Sequence, residues 1–100
     1  MEPLIIGIFD SGLGGLTVVK EIKKLLPHSS IVYLGDTARV PYGTRSPETI
    51  RKFAEEDTQF LIDKNVDLIV VACNTVSSLA LDIVKKHSSV PVYAVIEPAI

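Results

Sequence analysis

Cysteine is nearly missing from this chain: its hundred residues hold one, Cys73, with one methionine and no tryptophan. A single thiol excludes an internal disulfide framework and fits a reducing compartment. The two histidines, His28 and His87, are too few and too scattered to complete a metal site of familiar spacing, so no metal is expected. Each falls near a predicted helix end, where interaction with the helix dipole accounts for it. Charge of either sign is not in excess. Ten Lys and Arg against 12 Asp and Glu leave a net charge of −2, which gives no footprint for nucleic acid or an anionic membrane. Lys20, Lys23 and Lys24 are the nearest thing to a basic patch, and they lie in the later turns of a predicted helix, where cations complement the dipole. No apolar run approaches the roughly 20 residues of a membrane span. The start, Met1–Glu2–Pro3, lacks the basic and long apolar regions of a signal peptide. A soluble, cytoplasmic protein is the expectation. Repeats, low-complexity segments and linkers are absent as well, so residues 1–100 are expected to form a single α/β domain.

What is present begins with the stretch Val66–Asp67–Leu68–Ile69–Val70–Val71–Ala72–Cys73–Asn74–Thr75. A short apolar run rich in β-branched residues reads as a strand buried on both faces, as in a parallel sheet. Apolar residues then recur at Val76, Leu79, Ala80, Ile83 and Val84, which predicts a helix over 76–86. Cys73 is thereby placed in a strand-to-helix turn, on the sheet edge where open α/β folds bind ligands.

The rest of the chain repeats that alternation. Leu4–Phe9 predicts a first strand, followed by the glycine-rich turn Asp10–Ser11–Gly12–Leu13–Gly14–Gly15. Leu16 to Leu26 carries an amphipathic stripe stopped by Pro27. Ile31–Leu34 predicts a second strand ending at Gly35–Asp36, and residues 37–45, with Pro41–Tyr42–Gly43, a loop. Ser46–Pro47 signals a helix start, hydroxyl at N-cap and proline at N1. That helix is expected to run to about Lys64, with Ile50, Phe53, Ala54 and Leu61 inward and Glu55, Glu56 and Asp57 in solvent. Leu68–Ala72 and Val92–Ile96 predict the last two strands. Single helices between strands imply right-handed crossovers and an open parallel sheet with helices on both faces. The chain stops on Glu97–Pro98–Ala99–Ile100, just past a strand, which raises the expectation that it is one half of something larger.

Parallel strands put Asp10–Ser11, Asp36, Cys73–Asn74–Thr75 and Glu97 on one edge. Each has two readings. Cys73 is either a packed structural thiol or a base or nucleophile activated at a helix N-terminus. Asn74 and Thr75 are either helix caps or ligand donors. The glycines either serve a tight turn or open a dinucleotide fingerprint, with Asp36 as the ribose-binding carboxylate. The fingerprint is incomplete, since Thr17 stands at the third glycine position and Asp10 repels phosphate. A phosphatase-type aspartate nucleophile at Asp10 lacks its second aspartate, which is Gly12 here.

Four motifs in order, Ile8–Phe9–Asp10–Ser11–Gly12–Leu13–Gly14–Gly15–Leu16–Thr17–Val18, Tyr33–Leu34–Gly35–Asp36–Thr37, Val40–Pro41–Tyr42–Gly43 and Ala72–Cys73–Asn74–Thr75, closely resemble the N-terminal half of the glutamate racemases, across the whole chain. Aspartate racemases resemble it less well in the glycine-rich turn. The resemblance implies a cofactor-independent isomerase that interconverts L- and D-glutamate for peptidoglycan biosynthesis, and so for cell-wall biogenesis and cell shape. It implies two cysteines facing each other across the substrate α-carbon, Cys73 being the base toward D-glutamate. It implies that Asp10 assists proton handling and touches substrate, that Ser11 binds substrate, that Tyr42 and Gly43 contact it from the loop, and that Asn74 and Thr75 hold its amino-acid end. It further implies glutamate as the small-molecule partner, no nucleic acid or membrane partner, and a homo-oligomer in the full-length enzyme. The family's second cysteine and adjoining histidine belong to a C-terminal half absent from these residues. The chain alone is therefore expected to bind weakly and to racemise poorly or not at all, with an apolar face that favours self-association.

Overall fold

The computed structural model describes residues 3–10, 15–36 and 45–94. The described segments alternate strand and helix: β1 (Ile5–Asp10), α1 (Gly15–Leu25), β2 (Ser30–Gly35), α2 (Pro47–Asp63), β3 (Leu68–Val71), α3 (Asn74–Leu79), α4 (Leu81–His87) and β4 (Val92–Ala94). The four strands form one parallel sheet in the order β2-β1-β3-β4. Helices lie on both faces, as the sequence pattern predicts, and the division follows strand alternation. Ile6, Ile8, Val70 and Ala72 face one way, with Val18, Val19 and Ile22 of α1 packed on them. Phe9, Ile69 and Val71 face the other way, against Ile50, Ala54 and Leu61 of α2, Val76 of α3 and Val84 of α4. Burying a side chain of the Ile, Leu or Phe class contributes about 1.5–3 kcal/mol. Both faces therefore anchor β1 and β3, the central pair.

Helix α2 begins as its sequence predicts. Ser46 takes an extended backbone and its Oγ accepts the Thr49 N–H at 3.2 Å, with Pro47 following. The helix closes on Lys64, and Asn65 then adopts a left-handed φ of 60°, a conformation asparagine tolerates better than most side chains. Ile50, Ala54 and Leu61 point inward and Phe53 is half-buried. Asp57, expected in solvent, is instead buried. It lies between the inward Ala54 and Leu61, so the helical stripe carries it under the surface that α2 presents to its neighbours.

Three further expectations are corrected. The helix predicted over 76–86 is two helices, α3 and α4, hinged at Ala80, whose φ of −145° leaves helical space. Neither glycine nor proline marks the break. A cross-helix contact accompanies it instead: Arg51 of α2 donates through Nη1 to the Leu79 carbonyl at 3.0 Å. The same guanidinium grips Asp82 of α4 in a two-point pair at 2.8 and 2.9 Å. β3 ends at Val71 rather than Ala72, although the Ala72 N–H still donates to the Phe9 carbonyl at 2.9 Å. β2 is longer than expected by one residue at each end. β4 is described as Val92–Ala94; Val95 and Ile96, expected to continue it, lie outside the described residues.

Candidate functional site

The strand order sets where a site can form. From β1 the chain crosses through α1 outward to β2, then returns through α2 past β1 to β3. The connections diverge between β1 and β3, and in open α/β sheets the crevice at the carboxyl ends of such a pair is the ligand-binding position. β1 ends in Asp10, and β3 runs through Ala72 into Cys73.

Asp10 is fully buried and faces α1. Its register partner across the ladder is Gly35 of β2, and the Asp36 N–H donates to its carbonyl at 3.0 Å. The Tyr33 hydroxyl reaches diagonally from β2 and donates to the carboxylate, 2.9 Å from Oδ1 and 3.1 Å from Oδ2. Burial, followed by that hydrogen bond and the negative charge of Asp10, pushes the Tyr33 phenol up to about 12. Two glycines make room for this contact. A Cβ on Gly15, the first residue of α1, falls onto Asp10 Oδ2 and lies 2.8 Å from Tyr33 Cε1. A Cβ on Gly35 falls 3.1 Å from the Tyr33 hydroxyl oxygen.

Cys73 faces the opposite side of the sheet, 4% exposed, among Val71, Val76 and the α2 side chains. It occupies the N-cap of α3 in an extended conformation, and its side chain makes no capping hydrogen bond. Asn74 and Thr75 therefore do not cap the helix as the simpler reading expected. They are its first two residues, Asn74 exposed and Thr75 half-buried. One turn on, the Ser77 hydroxyl is buried with no hydrogen-bond partner among the described residues. Leaving such a group unpaired costs about 1–3 kcal/mol.

The structure thus brings Asp10, Asp36, Cys73, Asn74 and Thr75 to one edge. Ser11, Tyr42, Gly43 and Glu97, expected at the same edge, lie outside the described residues. Sequence reasoning assigned no role to Tyr33. The available signal was its place in β2, two residues before the glycine opposite Asp10, which puts both side chains on one face.

The nucleotide alternative is not supported. Gly12 and Gly14 lie outside the described residues, and the space over Gly15 is taken by the Asp10 carboxylate and the Tyr33 ring rather than left open for a phosphate. Among the described residues no three His, Cys, Asp or Glu side chains gather as metal ligands. No described helix is long and apolar enough to cross a membrane. A cavity of about 490 Å³ opens at the opposite, amino-terminal edge of the sheet, lined by Pro3, Leu4, Leu25, Leu26, Pro27, His28 and Ser29, far from this chemistry.

The sequence pattern of the Asp/Glu/hydantoin racemase family matches residues 6–100. The glutamate racemase of Aquifex aeolicus is 58% identical over 95 residues, which are 95% of this chain and 37% of that protein. The solved structure of the Aquifex pyrophilus glutamate racemase superposes with a TM-score of 0.89 at 59% identity, covering 93% of this chain and 37% of that one. A Francisella tularensis glutamate racemase in complex with D-glutamate superposes at 0.88 with 49% identity, over 94% of this chain and 36% of that one. The chain spans a little over a third of the length of these relatives.

Proposed function

The chain belongs to the Asp/Glu/hydantoin racemase family, and from that premise we propose that it forms one wall of a glutamate racemase active site, with Cys73 as one of two acid–base thiols. The observation that carries the reading is that the chain leaves the carboxyl ends of β1 and β3, the strands between which the crossovers diverge, at Asp10 and, two residues past Val71, at Cys73. High identity to glutamate racemases supports the choice of substrate.

The chemistry follows from what the α-carbon demands. An unactivated α-proton yields only to a base placed at contact distance and kept from water. Cys73, nearly closed to solvent at the strand end, suits that requirement. Its thiolate takes the α-proton of D-glutamate and becomes the thiol. The electron pair of the broken C–H bond stays on the α-carbon, and a second thiol on the opposite face returns a proton to it. These residues contain no second cysteine, so the complete reaction needs a partner wall that the hundred residues do not supply. Asp10 assists the proton at the edge and contacts the substrate, and Asn74 and Thr75 hold its amino-acid end. Ser11, Tyr42 and Gly43 supply the remaining binding groups. The reaction calls for no cofactor.

The experiment grafts residues 1–100 in place of the matching segment of the Aquifex aeolicus relative and follows glutamate in deuterium oxide. The graft is expected to exchange the α-hydrogen and racemise, the grafted Cys73→Ala variant to do neither, and the isolated chain to show no turnover. Normal racemisation by Cys73→Ala removes the assignment.

A further inference from the structure

We propose that Tyr33 is a positioning residue for the reaction: its hydroxyl fixes the Asp10 carboxylate at the end of β1, where that carboxylate serves the proton transfer at Cys73. The proposal rests on the racemase reading.

The geometry is that of a built contact. Asp10 and Tyr33 sit on neighbouring parallel strands, one diagonal step apart, since Ile8 pairs with Tyr33 and Asp10 with Gly35. A side chain at 35 stands directly opposite Asp10 and blocks the diagonal. Glycine there lets the phenol lie along β2 and reach the carboxylate, with a hypothetical Cβ only 3.1–3.4 Å from the phenol's outer atoms. From the other side, the backbone of Gly15 closes on both partners. Three positions, 15, 33 and 35, thus confine one carboxylate. The hydroxyl lies within hydrogen-bond distance of both oxygens, so it restrains the rotation of the carboxylate as well as its position. A bond to an ionised acceptor is also stronger than one between neutral groups, which makes the restraint stiff.

Confinement of this kind matters where chemistry depends on placement. A shift of about 1 Å at a reacting group costs on the order of 100-fold in rate. Removing the hydroxyl takes away this restraint without emptying the space the ring fills. Tyr33→Phe is therefore expected to lower turnover and to leave substrate affinity and folding nearly as they were.

The test has two arms. In the grafted enzyme, Tyr33→Phe is expected to reduce kcat by about tenfold or more with KM changed less than threefold, while the melting temperature stays within a few degrees of the parent. Gly35→Ala, which keeps the phenol but crowds its hydroxyl, is expected to reproduce the loss. In the hundred-residue chain carrying 13C-labelled aspartate carboxyls, Tyr33→Phe is expected to move the Asp10 resonance and to leave those of Asp63 and Asp82 in place. A kcat within twofold of the parent, or an unmoved Asp10 resonance, overturns the role given to Tyr33. A parent graft that does not racemise glutamate overturns the racemase reading itself, and the role of Tyr33 goes with it. A parent that does, beside a Tyr33→Phe variant of equal turnover, removes the role of Tyr33 alone.

Discussion

Asp10 ends β1 and Cys73 lies two residues past the end of the adjacent β3, at one sheet edge, yet their side chains lie on opposite faces of the sheet. Asp10 continues the alternation of Ile6 and Ile8 toward α1. Cys73 continues that of Ile69 and Val71 toward α2. A ligand served by both must sit over the rim of the sheet, between the two helical layers, and not against either face. That is the position a substrate needs if a second wall is to close on it from outside.

The crowding around Asp10 predicts the behaviour of Gly15. Alanine is the better helix former by about 0.5–1 kcal/mol. Here, however, its Cβ clashes with Asp10 Oδ2. Overpacking of that kind costs about 1–3 kcal/mol, so the clash outweighs the propensity. Gly15→Ala is expected to unfold at lower urea than the parent, whereas Lys20→Ala, at an exposed position of the same helix, changes little. A Gly15→Ala chain more stable than the parent contradicts the contact.

Tyr33 predicts a loss of stability at alkaline pH. Its phenol is raised from 10.0 to about 12 in the fold, chiefly by burial and then by Asp10. The folded state therefore holds the proton more tightly than the unfolded chain. The contribution is fully present below pH 10 and is lost as the pH rises through about 12. Denaturation midpoints between pH 9 and 12 are expected to fall in the parent and to fall less in Tyr33→Phe. Parallel curves for the two proteins count against the shift.

Cys73 makes its own packing measurable, because no other thiol contributes to the signal. At 4% exposure the packing around it slows attack on a reagent arriving from solvent. Iodoacetamide is expected to modify the native chain about 100-fold more slowly than the urea-unfolded chain, and mild denaturant to accelerate the reaction. Equal rates in both states refute the burial.

Much of the fold was legible because its signals are local. Short apolar runs located each described strand, and period-3.6 stripes and a capping signal the helices, to within a few residues, with α3 and α4 read as one. The Ser46–Pro47 start is visible because capping is settled within four residues. The break at Ala80 was not visible, since the residue has no backbone peculiarity of its own and the Arg51 contact that accompanies it comes from α2. Asp57 was misplaced for a related reason: a carboxylate beside Glu55 and Glu56 reads as solvated until the packing of α2 against its neighbours is known.

The order of strands and helices, the parallel sheet with helices on both faces, and the place of Asp10 and Cys73 where the chain turns after β1 and β3 could be read along the chain. Each follows from local apolar patterns and from the order in which strands and helices alternate. Tertiary structure alone decided that Asp10 and Cys73 part to opposite faces, and that Tyr33 crosses over Gly35 to hold a carboxylate 23 residues away. Register between strands decides those relations, and register is settled by packing across the sheet rather than by any single stretch of chain.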